Sequence, residues 1–158
     1  MSKHIKIGDT LPSFSLPNQD NQLVDIIELK KGKNLVLYFY PKDDTTVCTK
    51  EACSFRNNYD QFLRYDCTVV GISKDSPQSH VAFAQKHNLP FPLLSDVDNK
   101  VRNLLGVPRD LLGLLSGRYT YVIDKKDVVV AIINDHLNAS KHISQSLKAL
   151  EDEQRINQ

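Results

Sequence analysis

Apolar positions along this chain fall into two kinds of run: short continuous ones, and longer ones that recur every three or four residues. The first kind reads as buried strand and the second as helix. Residues 35–40 (LVLYFY) and Cys67–Ser73 (CTVVGIS) are short, rich in β-formers and without polar alternation, the pattern of central strands covered on both faces. Residues 91–95 (FPLLS) form a third, shorter strand. Residues 119–124 and 128–133 pair as a hairpin across Lys125-Lys126-Asp127. A second hairpin lies near the start, where Phe14 and Leu16 alternate, Asn18 to Asn21 turn, and residues 23–27 return. Helical spacing begins near Val47 or Cys48, carries Phe55, Tyr59, Phe62 and Leu63, and lasts to about Tyr65. Ser76 as N-cap and Pro77 at the first helical position start another helix, which bears Val81, Phe83, Ala84 and His87 and ends near Asn88. Residues 98–105 make a short helix closed by Gly106. The last helix starts near Ala139 with Ile143, Leu147 and Leu150 on one face. Strands alternating with helices predict an α/β sandwich around a central mixed sheet. No repeat, linker or low-complexity segment divides residues 1–158, so a single domain is expected. Residues 107–117 read as a loop with four leucines; the run from Leu111 to Leu115 is either core cover or an exposed partner patch.

Composition narrows the function classes. The 158 residues are 41% apolar and 25% charged with a net charge of +1, so neither nucleic acid nor an anionic membrane is an expected partner. No stretch of 18 apolar residues is present, and residues 1–12 (MSKHIKIGDTLP) lack the apolar core of a secretory signal. Three cysteines is an odd count, which argues against a disulfide framework and for a reducing compartment; a cytoplasmic protein is expected. The five histidines do not cluster with cysteine at ligand spacing, and one Cys-x4-Cys pair is a weak zinc signal. No metal and no cofactor are expected.

The chemistry concentrates where the 35–40 strand meets the helix. Pro41 stops the strand, Lys42-Asp43-Asp44-Thr45-Thr46 forms a polar loop, and Cys48 falls in the first helical turn. Unpaired N–H groups and the positive end of the helix dipole favour negative charge there. Such a position favours the nucleophilic thiolate. Cys67 opens a buried strand and reads as structural.

The string Pro41-x-x-x-Thr45-x-x-Cys48 resembles the active-site motif of the peroxiredoxins. The fuller YPKDDTTVCTKEACSFR is similar to their bacterioferritin-comigratory-protein branch, in which a second cysteine follows five residues after the first. VVGISKDSPQSHVAFAQKHNLPFPLLSD and GRYTYVIDKKDVV read alike, so the resemblance spans nearly the whole chain. It implies a thioredoxin-like fold with an N-terminal β-hairpin extension, and thiol-dependent reduction of hydrogen peroxide and organic hydroperoxides. By the same resemblance, Cys48 is the nucleophile that passes through a sulfenic acid, and Cys53 is the resolving cysteine that closes an intramolecular disulfide. Thr45 hydrogen-bonds thiolate and peroxide, Pro41 shields the site, and Arg118, just before the 119–124 strand, stabilises the thiolate and orients peroxide oxygens. Thioredoxin or a similar dithiol protein is the implied reductant, and a monomer or weak homodimer the implied assembly. Thr46-Val47 departs from the branch's usual Pro-Gly, and Val is stiffer at χ1.

The five-residue spacing makes a mechanical demand. Positions five apart on an ideal helix lie about 8.6 Å apart at Cα, whereas a disulfide needs about 7 Å or less. A Cys48–Cys53 bridge therefore requires the helix to unwind between them. Two other readings remain: a thiol–disulfide oxidoreductase, whose usual Cys-x-x-Cys is absent, and a non-enzymatic redox sensor that reacts once.

Overall fold

Strand β3 (Asn34–Phe39) is the middle of the molecule, and its alternation explains both cores. The computed structural model describes residues 4–110, 115–116, 118–135 and 137–157. The elements run β1 (Ser15–Pro17), β2 (Leu23–Asp25), α1 (Ile26–Lys30), β3, α2 (Thr46–Asn57), α3 (Tyr59–Arg64), β4 (Cys67–Ser73) and α4 (Pro77–His87). After these come β5 (Leu93–Ser95), α5 (Lys100–Leu105), β6 (Arg109–Asp110), β7 (Leu115–Ser116), β8 (Tyr119–Ile123), β9 (Val129–Asn134) and α6 (Ala139–Ile156). The main sheet has the order β5-β4-β3-β8-β9. β3 is parallel to β4 and antiparallel to β8, so the sheet is mixed.

Leu35, Leu37 and Phe39 point to one side, into a core with Leu16, Ile26, Ile72, Val101 and Leu105. Val36, Tyr38 and Tyr40 point to the other, into a core with Ala52, Phe55, Phe83, Ile143 and Leu150. The first core is roofed by the β1–β2 hairpin, α1 and α5, and the second by α2, α3, α4 and α6. This is the mixed α/β sandwich with an N-terminal hairpin that the apolar pattern predicts.

The structure departs locally from the expected elements in three places. The return strand of the first hairpin stops at Asp25, because that carboxylate accepts hydrogen bonds from the Ile27 and Glu28 amides and caps a short helix. The long helix expected to Tyr65 is broken at Asn58 into α2 and α3. Arg109–Asp110 pairs with Leu115–Ser116, where a loop is expected; Leu111, Leu112 and Leu114 lie outside the described residues. The Ser76 cap, Pro77 and the left-handed Asn88 and Gly106 termini sit where the sequence places them.

Gly71 on β4 lies opposite Tyr38 on β3. A Cβ there would come 2.8 Å from the Tyr38 ring and 2.9 Å from Leu93. Gly71→Ala is therefore expected to cost about 1–3 kcal/mol by overpacking, read as a lower denaturant midpoint; an unchanged midpoint refutes the clash.

Candidate active site

β3 ends at Phe39, and Tyr40 continues it, its N–H donating a hydrogen bond to Ile72 O, before Pro41 turns the chain. Thr45 then takes an extended conformation (φ −84°, ψ 156°) as the N-cap of α2, and Thr49 N–H donates to Thr45 O to close the first turn. Cys48 thus sits in the first turn, where backbone N–H groups have no helical acceptor. It is 1% exposed and packed in the second core.

Arg118, immediately before β8, reaches across to it. One nitrogen, Nη2, donates to Cys48 Sγ at 3.2 Å, and the other, Nη1, donates to Glu51 Oε1 at 3.0 Å. Arg118 is 5% exposed and Glu51 is fully buried. Burial opposes the Arg118 cation, but Glu51 and Cys48 outweigh it and hold its pKa above the usual value. Burial likewise pushes Glu51 up to about 7, with Arg118 pulling the other way. Glu51 also faces His142 of α6, its Oε2 lying 3.4 Å from His142 Nδ1.

The remaining motif residues are placed as follows. Pro41 is half-buried at the start of the loop, and Thr45 is exposed with its hydroxyl donating to Lys42 O at 3.1 Å. Cys53 is half-buried five residues along the unbroken α2, in a surface cleft with Lys50, Leu137 and Ala139. All three cysteines are free thiols. Burial pushes the Cys67 thiol up to about 12, and it lies in the second core.

The polar loop is bolted from below. Tyr40 Oη donates to Asp43 Oδ1 at 2.6 Å, while Ser79 Oγ and His80 Nδ1 lie 2.8 and 2.7 Å from Asp43 Oδ2. The Asp43 amide donates to Asp75 Oδ2, which also accepts from Ser73 Oγ. Among the described residues, Asp43, Asp75 and His80 bring ligand atoms within 4.8 Å of one another; those atoms are already engaged in these bonds. Glu51, His142, Asp43 and His80 escaped the sequence reading. Only the three-residue step from Cys48 to Glu51, which puts both on one helix face, signals any of them.

The AhpC/TSA family model matches residues 7–132. This chain belongs to the AhpC/TSA family. Chloroplastic peroxiredoxin Q of Populus jackii is 51% identical over 144 residues, covering 91% of this chain and 67% of that one. The chain thus spans about two thirds of that relative's length. Among solved structures, the peroxidoxin BcpB of Mycobacterium tuberculosis superposes with a TM-score of 0.87 at 36% identity, covering 94% of this chain and 98% of that one. A Xanthomonas campestris bacterioferritin comigratory protein, studied for alkyl peroxide reduction, gives 0.79 at 27% identity, covering 89% and 91%. These likenesses put the chain in the peroxiredoxin Q branch and make it a thiol peroxidase, ahead of the sensor and oxidoreductase readings.

The cytoplasmic expectation is corrected. The curated peroxiredoxin Q relatives at about half identity carry chloroplastic names, which points to a plastid. An odd count of free thiols reports a reducing environment, and a reducing organelle interior meets that condition as well as the cytoplasm does.

Proposed function

We propose that this peroxiredoxin reduces hydrogen peroxide and alkyl hydroperoxides through Cys48, with Cys53 resolving the product. The observation that carries the reading is the Arg118 Nη2 bond to Cys48 Sγ at the buried start of α2. The thiolate attacks one peroxide oxygen; the O–O bond breaks, Cys48 becomes a sulfenic acid, and the departing oxide takes a proton to leave as water or alcohol. Arg118 stays charged and presents several donors, so it holds the thiolate and the developing negative oxygen together. By the family resemblance, the Thr45 hydroxyl, which here donates to Lys42 O, would bond thiolate and peroxide, and Pro41 would limit water above them.

Cys53 then attacks the Cys48 sulfur, expelling water and forming the bridge. α2 runs unbroken from Thr46 to Asn57 through both cysteines, so its first turns must unwind for the sulfurs to meet. The unwound form presents the bridge to thioredoxin or a similar dithiol, which is oxidised as the two cysteines are reduced. Residues 1–158 act as one domain, as a monomer or weak homodimer.

One equivalent of hydrogen peroxide tests the pairing by intact mass and thiol mapping. Wild type is expected to lose about 2 Da as a Cys48–Cys53 disulfide, and Cys53→Ser to gain about 16 Da at Cys48. A wild-type protein that stops at sulfenic acid, or bridges Cys48 to Cys67, removes Cys53 from the role.

A further inference from the structure

Glu51 stands on α2 between the two cysteines, and one half of its carboxyl group is unaccounted for. Oε1 accepts from Arg118, but Oε2 is buried and accepts no hydrogen bond among the described residues. It faces His142 Nδ1 at 3.4 Å. His142 Nε2 lies 2.8 Å from Asp135 O. A carbonyl only accepts, so Nε2 carries a hydrogen, and in a neutral ring Nδ1 is then a lone pair. That lone pair is met by the Thr120 hydroxyl at 2.7 Å. An ionised Oε2 would thus be a charged oxygen buried without a donor and opposite another acceptor, which is costly. A proton on Oε2 removes that charge, and with it the repulsion between the two acceptors.

We propose that Glu51 carries a proton on Oε2, facing His142, in the closed form, and that unwinding of residues 48–53 releases it by bringing Glu51 into water. The inference rests on the reading of Cys48 and Cys53 as the bridging pair. It makes Glu51 and His142 positioning residues: together with Arg118 they tie the turn between the cysteines to α6 and to the start of β8, and the tie holds in its protonated state.

The charged and titratable groups around Glu51 come from four directions. Arg118 approaches from the segment before β8, Cys48 lies on the same helix, and Tyr38 comes from β3. On the far side, His142 stands with Lys141 and Asp135 near it. Burial raises Glu51 and lowers His142, Arg118 and Lys141 lower His142 further, and Asp135 opposes them. Both directions agree with the hydrogen-bond geometry, which leaves the ring neutral and the buried Oε2 without a donor. An acid whose value is raised in the closed form favours that form at low pH. The advantage is fully present below the ordinary 4.5 and fades as pH rises toward about 7. Bridge formation gains up to tenfold per pH unit across that window from the one released proton.

The test is the midpoint potential of the Cys48–Cys53 couple between pH 5 and 8, set by a thiol redox buffer and read by acid quench and mass. Below about pH 7, wild type is expected to fall with pH about 30 mV per unit more steeply than Glu51→Gln, which is one extra proton on a two-electron couple. Above that the two lines are expected to run parallel. Parallel lines throughout overturn the proposal while leaving the bridge intact; a protein that forms no bridge removes the pairing and this inference with it. Infrared difference spectra of wild type, reduced minus bridged at pH 6, read the same proton without any variant. A protonated carboxyl band in the reduced form supports the proposal, and its absence overturns it.

Discussion

Arg118→Met is expected to slow oxidation of Cys48 by peroxide about 10²- to 10³-fold, the loss seen when one pre-positioned donor to a developing oxyanion is removed. The side chain does two things at once: Nη2 holds Cys48 Sγ at 3.2 Å and Nη1 holds Glu51 at 3.0 Å. Met keeps the apolar stem and removes both donors. It also leaves a buried carboxyl and a buried thiol without their cation, and charge-assisted bonds in a dry site are the strong ones. Arg118→Lys is expected to recover little of the loss. An ammonium is a compact point charge, whereas the guanidinium presents fixed, separated donors. The second-order rate of Cys48 loss, followed against a competing peroxide scavenger, checks this. A rate within twofold of wild type would remove Arg118 from the chemistry.

Asp43→Ala is expected to cost about 3–5 kcal/mol, because it leaves several buried polar groups without an acceptor at about 1–3 kcal/mol each. Asp43 is 5% exposed and His80 fully buried, and their 2.7 Å contact is reinforced by Tyr40 and Ser79. Without the carboxylate, three polar side chains lose their shared acceptor at once. For a chain of this size that corresponds to roughly 6–20 °C in melting temperature. The same carboxyl predicts a pH dependence. Burial works against its charge, but bonds from His80, Tyr40 and Ser79 prevail and hold it below the ordinary 3.8. The stabilisation is therefore present above about pH 4 and fades as the pH falls through the depressed value. A melting temperature unchanged by Asp43→Ala would show that the loop does not depend on its bolt.

The sheet was legible because β3 and β4 carry apolar residues on both faces, a pattern that only a doubly covered strand tolerates. The ends of α4 were legible because Ser76, Pro77 and Asn88 act through local backbone chemistry. Helix α1 was not, since Ile26 and Ile27 continue the apolar run of β2 and only the Asp25 cap bends the chain into a helix. Cys48 and Arg118 were singled out through a motif, and the structure brings them within hydrogen-bond reach of each other. Glu51 was not found, because a glutamate in a polar helix reads as exposed; it is buried by Arg118 and His142, distant in sequence. The two hydroxyl and carboxyl clusters beneath the loop were hidden for the same reason.

The place of β3 between β4 and β8 has a consequence for the making of the protein. Leu35 lies beside Thr68 on one side and Ile123 on the other, so a growing chain can complete one flank of its central strand long before the other. Until β8 emerges, the antiparallel edge of β3 is an unpaired apolar template beside the half-built site, the kind of edge that invites association between chains. The first residues wait longer still, since Gly8 and Leu11 are held by Val129 and Asp127. Such distant pairings slow folding, and a chain interrupted shortly before Tyr119 is expected to aggregate rather than persist as a smaller folded unit.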